Sequence, residues 1–311
     1  MIDIIIHNKN KEKLLHTIES LDLSKNISIT IIDNFTNETY DDIINDKITV
    51  LRTDCVLSNN DIRNFAIKNT ANSIITFVEC GDTILTNGLF EMIEYEINNG
   101  ANIVELPIYE ENSNYQLILN NMNKILGKFY SRKFIKMYNI LFNPDAIEFG
   151  DNNWIQKTHC LTNKILEFKQ YPFAISRYNP EIKTFTNDKE YFCKYHLKDY
   201  SNNMIDLVEY LNSCGADEEV INELAIEGMV TLYYSYYAIS NLTNEEVDLN
   251  DILNYYNTIF VPLSDKLNPQ KLIEIHNNIL NSILNSNGIL YPAVTKFNKY
   301  NFLEFVLQLS K

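Results

Sequence analysis

The sequence predicts an α/β fold with a mostly parallel sheet, followed by an all-helical C-terminal region. Short runs rich in β-branched residues alternate with segments in which apolar residues recur at helical spacing; these runs are 2–6, 27–32, 48–51 and 74–78. Alternation of this kind is typical of β-α-β units, whose parallel strands are covered by helices on both faces of the sheet.

The helices between these runs follow from the same apolar spacing. Leu14, Leu15, Ile18 and Leu21 lie on one face of a first helix. A second helix is predicted over 60–67, where Asn60 is a suitable N-cap residue and apolar residues again share one face. Beyond the fourth strand, we expect a helix near 89–93 and a further strand at 102–106.

The pattern changes near residue 200 and becomes helical to the end of the chain. We expect roughly five helices there, at 204–211, 220–237, 252–259, 271–284 and 302–309. Pro262, Pro269 and Pro292 lie between or at the edges of these segments, where helices break. The sequence therefore predicts two domains, 1–198 and 199–311.

Composition excludes several classes of protein. No apolar run approaches the roughly 20 residues of a membrane helix, and the first residues carry Asp3 without the basic segment of a signal peptide. The five cysteines form no C-x-x-C pair, so we expect free thiols. We expect a soluble, cytoplasmic protein.

Charge is unevenly distributed along this chain of net charge −15. The segment 201–265 contains no Lys or Arg, which disfavours general binding of nucleic acid. A basic strip without acidic residues lies at 124–136 and comprises Lys124, Lys128, Arg132, Lys133 and Lys136. This strip either faces a phosphate or forms a solvated helix face.

Acidic residues stand where predicted strands end. Asp33 follows one strand, and Glu79 and Asp82 follow another. Ligands of parallel α/β sheets bind beyond the carboxyl ends of the strands. Carboxylates there can hold a divalent cation, and Arg63 on the preceding helix can neutralise a phosphate, which suggests a nucleotide-diphosphate site.

Four segments, in this order, resemble the family 2 glycosyltransferases of the GT-A fold. The segments are IIDNFTNE at 31–38, LSNNDIRNFAI at 57–67, IITFVECGD at 74–82, and a block from KFYSRKF at 128–134 through ILFNP to FGDNNW at 149–154. They correspond to that family's V-V-D-D-x-S-T-D, A-R-N, F-L-D-S-D-D or D-S-G-D, and K-x-Y-R-R-x-F with I-x-F-P and E-D-x-x-W patterns. The similarity covers about 2–185 and leaves the helical tail uncovered.

The resemblance implies transfer of a hexosyl group from a nucleotide-diphosphate sugar to an acceptor hydroxyl, with inversion at the anomeric carbon. By the resemblance, Asp151 is the general base, and Asp82 and Glu79 bind Mg²⁺ or Mn²⁺. Trp154 contacts the acceptor, unless it is a core residue. The residues implied to bind the donor are His7, Asn8, Asp33, Asn34, Arg63 and Glu79. The acceptor would be a polysaccharide, a glycoconjugate or a modified nucleobase. The helical domain would shape the acceptor site or form a homo-oligomer.

The chain departs from the family's pattern at several positions. Gly81 replaces the central metal-binding Asp, Gly150 replaces the Glu before the base, Asn34 replaces the second Asp of V-D-D, and Lys9-Asn10 replaces Tyr-Asn. Two alternatives stay open: a nucleotidyltransferase on a related scaffold, which would use the carboxylates for a nucleoside triphosphate, and a non-catalytic protein, suggested by Gly81 and Gly150, whose helical tail is an interaction module.

Overall fold

A computed structural model describes residues 1–85, 88–111, 116–118, 124–177, 194–243, 247–266, 268–285, 302 and 305–306. They form two compact units. The first comprises the described residues of Met1–Pro144 and Gly150–Pro180, and the second those of Asp145–Phe149 and Glu181–Lys311. The roles predicted for the two domains, catalysis for 1–198 and acceptor shaping or oligomerisation for 199–311, stay predictions.

All strands of the described residues lie in the first unit. They are β1 Ile2–Asn8, β2 Ile27–Asp33, β3 Ile48–Arg52, β4 Ile74–Glu79, β5 Thr83–Ile84, β6 Ile103–Glu105, β7 Ile108–Glu110, β8 Gln116–Ile118, β9 Lys128–Ser131, β10 Ile165–Glu167 and β11 Ala174–Ser176.

The larger sheet has seven strands in the order β10-β6-β9-β4-β1-β2-β3. Strand β1 is paired in parallel with both β2 and β4, and β2 is paired in parallel with β3. Only β9 runs antiparallel, between β4 and β6. The isoleucine-rich runs of β1 and β2 are buried along almost their whole length, as expected for strands covered on both faces. The predicted mostly parallel sheet is confirmed.

A smaller sheet has the order β5-β11-β7-β8. Strand β11 is antiparallel to β5 and parallel to β7, and β8 is antiparallel to β7. Because β5 begins four residues after β4 ends, this second sheet lies close to the carboxyl end of β4.

The helices of the first unit are α1 Lys11–Glu19, α2 Asn59–Asn69, α3 Leu89–Asn98, α4 Arg132–Tyr138 and α5 Gly150–Cys160. Asn10 caps α1 by accepting a hydrogen bond from the amide of Lys13. Ser58, rather than the predicted Asn60, caps α2 by accepting one from the amide of Asp61. This shift places Asn60 on the buried face of α2.

Trp154 belongs to the core, which corrects the expectation that it contacts an acceptor. Its side chain is fully buried, and its ring stacks on Phe142 with the ring centroids 4.2 Å apart. Phe77 and Tyr130 contact it edge to face. With no exposed surface, the indole has no face to offer a sugar.

The basic strip 124–136 fits neither of its two interpretations as a whole. Lys128 and Arg132 are buried and pair with carboxylates: Lys128 Nζ lies 3.0 Å from Glu105, and Arg132 Nη2 lies 2.9 Å from Asp3. Lys133 and Lys136 are exposed on α4. The fifth residue, Lys124, is half-buried and its Nζ lies 2.6 Å from Glu110, so the charges of the strip do not form one surface.

The second unit is helical where it is described. Its helices are α6 His196–Ser213, α7 Glu218–Thr243, α8 Asn250–Tyr255, α9 Val261–Leu263 and α10 Pro269–Asn285, with a π-helical turn at Tyr256–Phe260 and a 3₁₀ turn at Ser264–Lys266. The predicted helix at 302–309 lies mostly outside the described residues. No helix of the described residues is long and apolar enough to cross a membrane.

Replacing Trp154 with Ala should lower the free energy of unfolding by about 3–5 kcal/mol, because the substitution removes the largest side chain of the core and leaves a cavity. Urea denaturation measures the change. Tyr95, an exposed aromatic residue on α3, is the control, and its replacement with Ala should change stability by less than about 0.5 kcal/mol. Equal effects of the two substitutions would contradict a core role for Trp154.

Candidate functional site

The parallel strands end together at one edge of the larger sheet. The register pairs Asn8 of β1 with Asp33 of β2, and Asp33 with Arg52 of β3. On the other side of β1, His7 is paired with Glu79 of β4. Polar residues from four strands therefore lie side by side where ligands of such sheets bind.

Arg63 of α2 joins the carboxylates of two distant chain segments. Its Nη2 lies 2.9 Å from Oε1 of Glu79, and its Nη1 donates a hydrogen bond to Oδ1 of Asp151. The guanidinium also lies over the ring of Phe142, 5.1 Å from its centroid. Although burial acts to lower the pKa of Arg63, the charges of Asp151 and Glu79 outweigh it and raise that pKa.

Asp151 is held at the N-terminal end of α5. While one carboxylate oxygen accepts from Arg63, Oδ2 accepts from the amide of Ile125 at 3.2 Å. The side chain is 24% exposed. The carboxylate is thus fixed in orientation and reachable from solvent, two properties that a general base requires.

Glu79 lies between two cations. Besides Arg63, Nζ of Lys9 lies 3.3 Å from its Oε2. Burial acts to raise the pKa of Glu79, but Arg63 and Lys9 prevail and lower it to about 2. Burial lowers the pKa of the neighbouring His7 to about 4, so this imidazole is neutral at pH 7.

Asp82 is buried next to Glu79. Its Oδ2 accepts from the amide of Glu79 and its Oδ1 from the amide of Arg177, both at 3.1 Å. Burial, followed by the charge of Glu79, raises the pKa of Asp82 to about 7. Contacts from Asp151 through Arg63 to Glu79 and on to Asp82 therefore join residues from three chain segments into one site.

Asp33 and Asn8 are buried neighbours at the ends of β2 and β1. Asp33 is fully buried, accepts from the hydroxyl of Thr36 at 2.6 Å, and lies 3.1 Å from Nε of Arg52. Asn8, also buried, donates to the hydroxyl of Tyr40 at 2.7 Å and to Glu38. Their polar groups fix the loop at 34–40 in place.

Asn34 has a structural position. Its side-chain amide donates to the carbonyl of Leu57 at 3.0 Å and accepts from the amide of Leu57 at 2.8 Å. This paired contact ties the end of β2 to the chain just before α2. The predicted direct contact of Asn34 with a donor stays a prediction.

Phe35 was missed by the sequence interpretation. Its φ is 57°, a left-handed conformation that is uncommon for an aromatic residue, and 62% of its surface is exposed. Strained residues of this kind cluster at binding sites. The signal in the sequence was an aromatic residue within the turn after Asp33, where one apolar residue among polar ones is otherwise unexplained.

The structure explains how Gly150 is accommodated. A Cβ atom at this position would lie 2.5 Å from the side-chain amide of Asn60. Asn60 is buried and donates to the carbonyl of Asn143 at 2.9 Å, while Asn64 both donates to and accepts from the backbone of Phe142. The amide of Asn60 therefore fills the space in which any side chain at 150 would begin.

The expected metal ligands do not fit a divalent cation. Both oxygens of Glu79 face cationic side chains, and Asp82 is buried with each of its oxygens accepting a backbone hydrogen bond. Gly81 has a φ of 107°, a conformation that residues with a side chain rarely adopt, so the backbone conformation accounts for glycine at this position. Among the described residues, no group of three or more His, Cys, Asp or Glu side chains could hold a metal ion. Mg²⁺ and Mn²⁺ prefer several oxygen ligands free of competing cations.

Comparison with known proteins identifies the fold. No protein family profile and no curated protein sequence matches the chain. Solved structures do match. The structure of S. aureus TarS 1–349 in complex with UDP-GlcNAc superposes with a TM-score of 0.64 at 13% sequence identity, and the match covers 95% of this chain and 90% of that one. The complex of TarS 1–349 with UDP gives a TM-score of 0.58 at 13% identity and 92% coverage of both chains. TarS 1–349 by itself gives 0.63 at 12% identity, with 96% and 93% covered. The predicted fold, a GT-A type sheet followed by a helical region, is thereby confirmed.

Replacing Gly150 with Ala should destabilise the protein by about 1–3 kcal/mol, because the new methyl group collides with the buried amide of Asn60. The double variant with Asn60→Ala should be more stable than the sum of the two single effects by about 1 kcal/mol or more, since the collision is relieved. Chemical denaturation of the four proteins provides the cycle. Strict additivity would show that Asn60 does not occupy this space.

Asp82 should make stability fall as pH rises. Its pKa is higher in the folded chain, about 7, than in the unfolded chain, so its contribution is complete below about pH 4 and is lost as pH rises to about 7. Replacement with Asn removes this dependence. Between pH 4 and 8, the free energy of unfolding of the wild type should therefore decline relative to that of Asp82→Asn by roughly a few kcal/mol. A constant difference across that range would contradict the raised pKa.

Proposed function

We propose that this protein is a glycosyltransferase that moves a sugar from a nucleotide diphosphate to an acceptor hydroxyl with inversion. The observation that carries the proposal is the contact of one arginine, Arg63, with both Glu79 and Asp151 at the carboxyl edge of the sheet. A fixed carboxylate next to a cationic group suits a reaction in which a proton leaves the acceptor and negative charge develops on the leaving diphosphate. The fold shared with TarS, solved with UDP and UDP-GlcNAc, supports the same proposal.

In this proposal Asp151 takes the proton of the acceptor hydroxyl as its oxygen attacks the anomeric carbon. The bond from that carbon to the diphosphate oxygen breaks in the same displacement, and the diphosphate leaves with the electron pair. Arg63 holds Asp151 in orientation and lies near the departing charge. Because Asp82 and Glu79 do not fit the expected Mg²⁺ or Mn²⁺, no step is assigned to a metal.

The nucleoside would lie over the ends of β1 and β2. Asp33 and Asn8 would form the floor beneath it, and neutral His7 would lie towards the diphosphate. Phe35 is proposed to stack on the base, since its exposed ring stands beside Asp33 and can take the place of the aromatic residue that is absent at Lys9. The acceptor would be a hydroxyl of a polysaccharide, a glycoconjugate or a modified nucleobase, and the helical unit would shape its site or form a homo-oligomer.

Replacing Asp151 with Asn tests the assignment of the base. The substitution keeps the size of the side chain but removes the proton acceptor, so the rate of transfer should fall about 10²- to 10⁴-fold. Binding of the nucleotide diphosphate, measured by calorimetry, should change little. Asp46→Asn, at an exposed aspartate before β3, is the matched control and should keep full activity.

Transfer is followed as release of nucleoside diphosphate from a panel of nucleotide sugars in the presence of candidate acceptors. Full activity of the Asp151→Asn variant would overturn the assignment of Asp151 as the general base. Release of pyrophosphate from a nucleoside triphosphate would instead identify a nucleotidyltransferase.

A further inference from the structure

We propose that the donor diphosphate is bound without a divalent cation, by the side chains of Lys9, Lys13 and Arg63. This inference rests on the proposed function and specifies how the same site holds its donor. It follows from three features of the loop 79–82, which in the resembled family would hold a metal.

The first feature is the pair of cations on Glu79. Lys9 Nζ lies 3.3 Å from one oxygen and Arg63 Nη2 lies 2.9 Å from the other. A divalent cation on this carboxylate would stand within a few ångströms of two positive side chains, a strongly repulsive arrangement. A diphosphate group there would instead be attracted by both.

The second feature is the side chain that covers Gly81. The Cβ position of residue 81 lies 3.6 Å from Cδ and 3.8 Å from Cβ of Lys13. The lysine chain thus runs across the place from which a metal-binding aspartate would extend. Lys13 itself is exposed, so its ammonium group is free to turn towards a ligand above the loop.

The third feature is the position of Asp82. Its side chain is buried, and the amides of Glu79 and Arg177 occupy one oxygen each. Asp82 shapes the loop from within and leaves Glu79 as the exposed carboxylate of the segment 79–82. Three cationic side chains, Lys9, Lys13 and Arg63, against two partly exposed carboxylates, Glu79 and Asp151, leave one positive charge to attract a diphosphate.

Calorimetric titration with UDP, GDP, CDP and dTDP tests the proposal. Each titration is performed in EDTA and again with millimolar MgCl₂ or MnCl₂. The best-bound nucleotide should keep its affinity in EDTA to within about threefold. A loss of tenfold or more in EDTA, with affinity restored by metal, would overturn metal-free binding while leaving the proposed function intact.

Lysine variants identify the residues in EDTA. Lys9→Met and Lys13→Met should each weaken binding about 10-fold or more, the usual worth of a charge-assisted hydrogen bond. Lys68→Met is the matched control, because Lys68 is exposed at the far end of α2, and its affinity should be unchanged. Unchanged affinity of both site variants would overturn the assignment.

Glu79→Gln separates the two accounts by the sign of its effect. With MgCl₂ or MnCl₂ present, the substitution weakens nucleotide binding if Glu79 is a metal ligand. If Glu79 only restrains Lys9 and Arg63, the loss of its negative charge should leave binding unchanged or strengthen it a few-fold, both with metal and in EDTA. Weaker binding with metal present would overturn the inference. Absence of binding by any nucleotide with or without metal would overturn the proposed function, and this inference with it.

Discussion

The ion pairs of Arg63 are the interaction on which the site depends. A guanidinium group that is largely removed from water is costly unless carboxylates compensate its charge, and here Glu79 and Asp151 do so from two different segments. The requirement fixes α2 relative to the end of β4 and the start of α5. The proposed base and the loop proposed to receive the diphosphate are therefore held together by one residue.

The sheet supplies the remaining geometry. Because β1, β2, β3 and β4 are parallel and in register, their last residues meet at one edge, and side chains far apart in sequence become neighbours. Asn60 and Asn64 then fasten the chain at Phe142 and Asn143 to α2 through buried amide hydrogen bonds. This contact supports Phe142, over which Arg63 lies. Backbone fastening and charge pairing thus orient the same arginine.

Much of this architecture could be predicted from the sequence. Runs of isoleucine marked the buried strands, and acidic residues after two of these runs marked the edge of the sheet at which we propose that the donor binds. The pairing of Arg63 with Asp151 could not be read in this way, because the residues are 88 positions apart and no local pattern links them. Likewise, Lys128 and Arg132 look in sequence like a solvated face, and only the fold brings Glu105 and Asp3 to them. The role of Trp154 depended on Phe142 and Tyr130, which pack against it from other elements.

The most direct test of the account is a double-mutant cycle between Arg63 and Asp151 on the free energy of unfolding, with Arg63→Met, Asp151→Asn and their combination. If the arginine holds this carboxylate in place, the cycle should give a coupling energy of about 1–3 kcal/mol. A coupling energy of zero within error would show that the two side chains act independently, and the joined site described here would not exist.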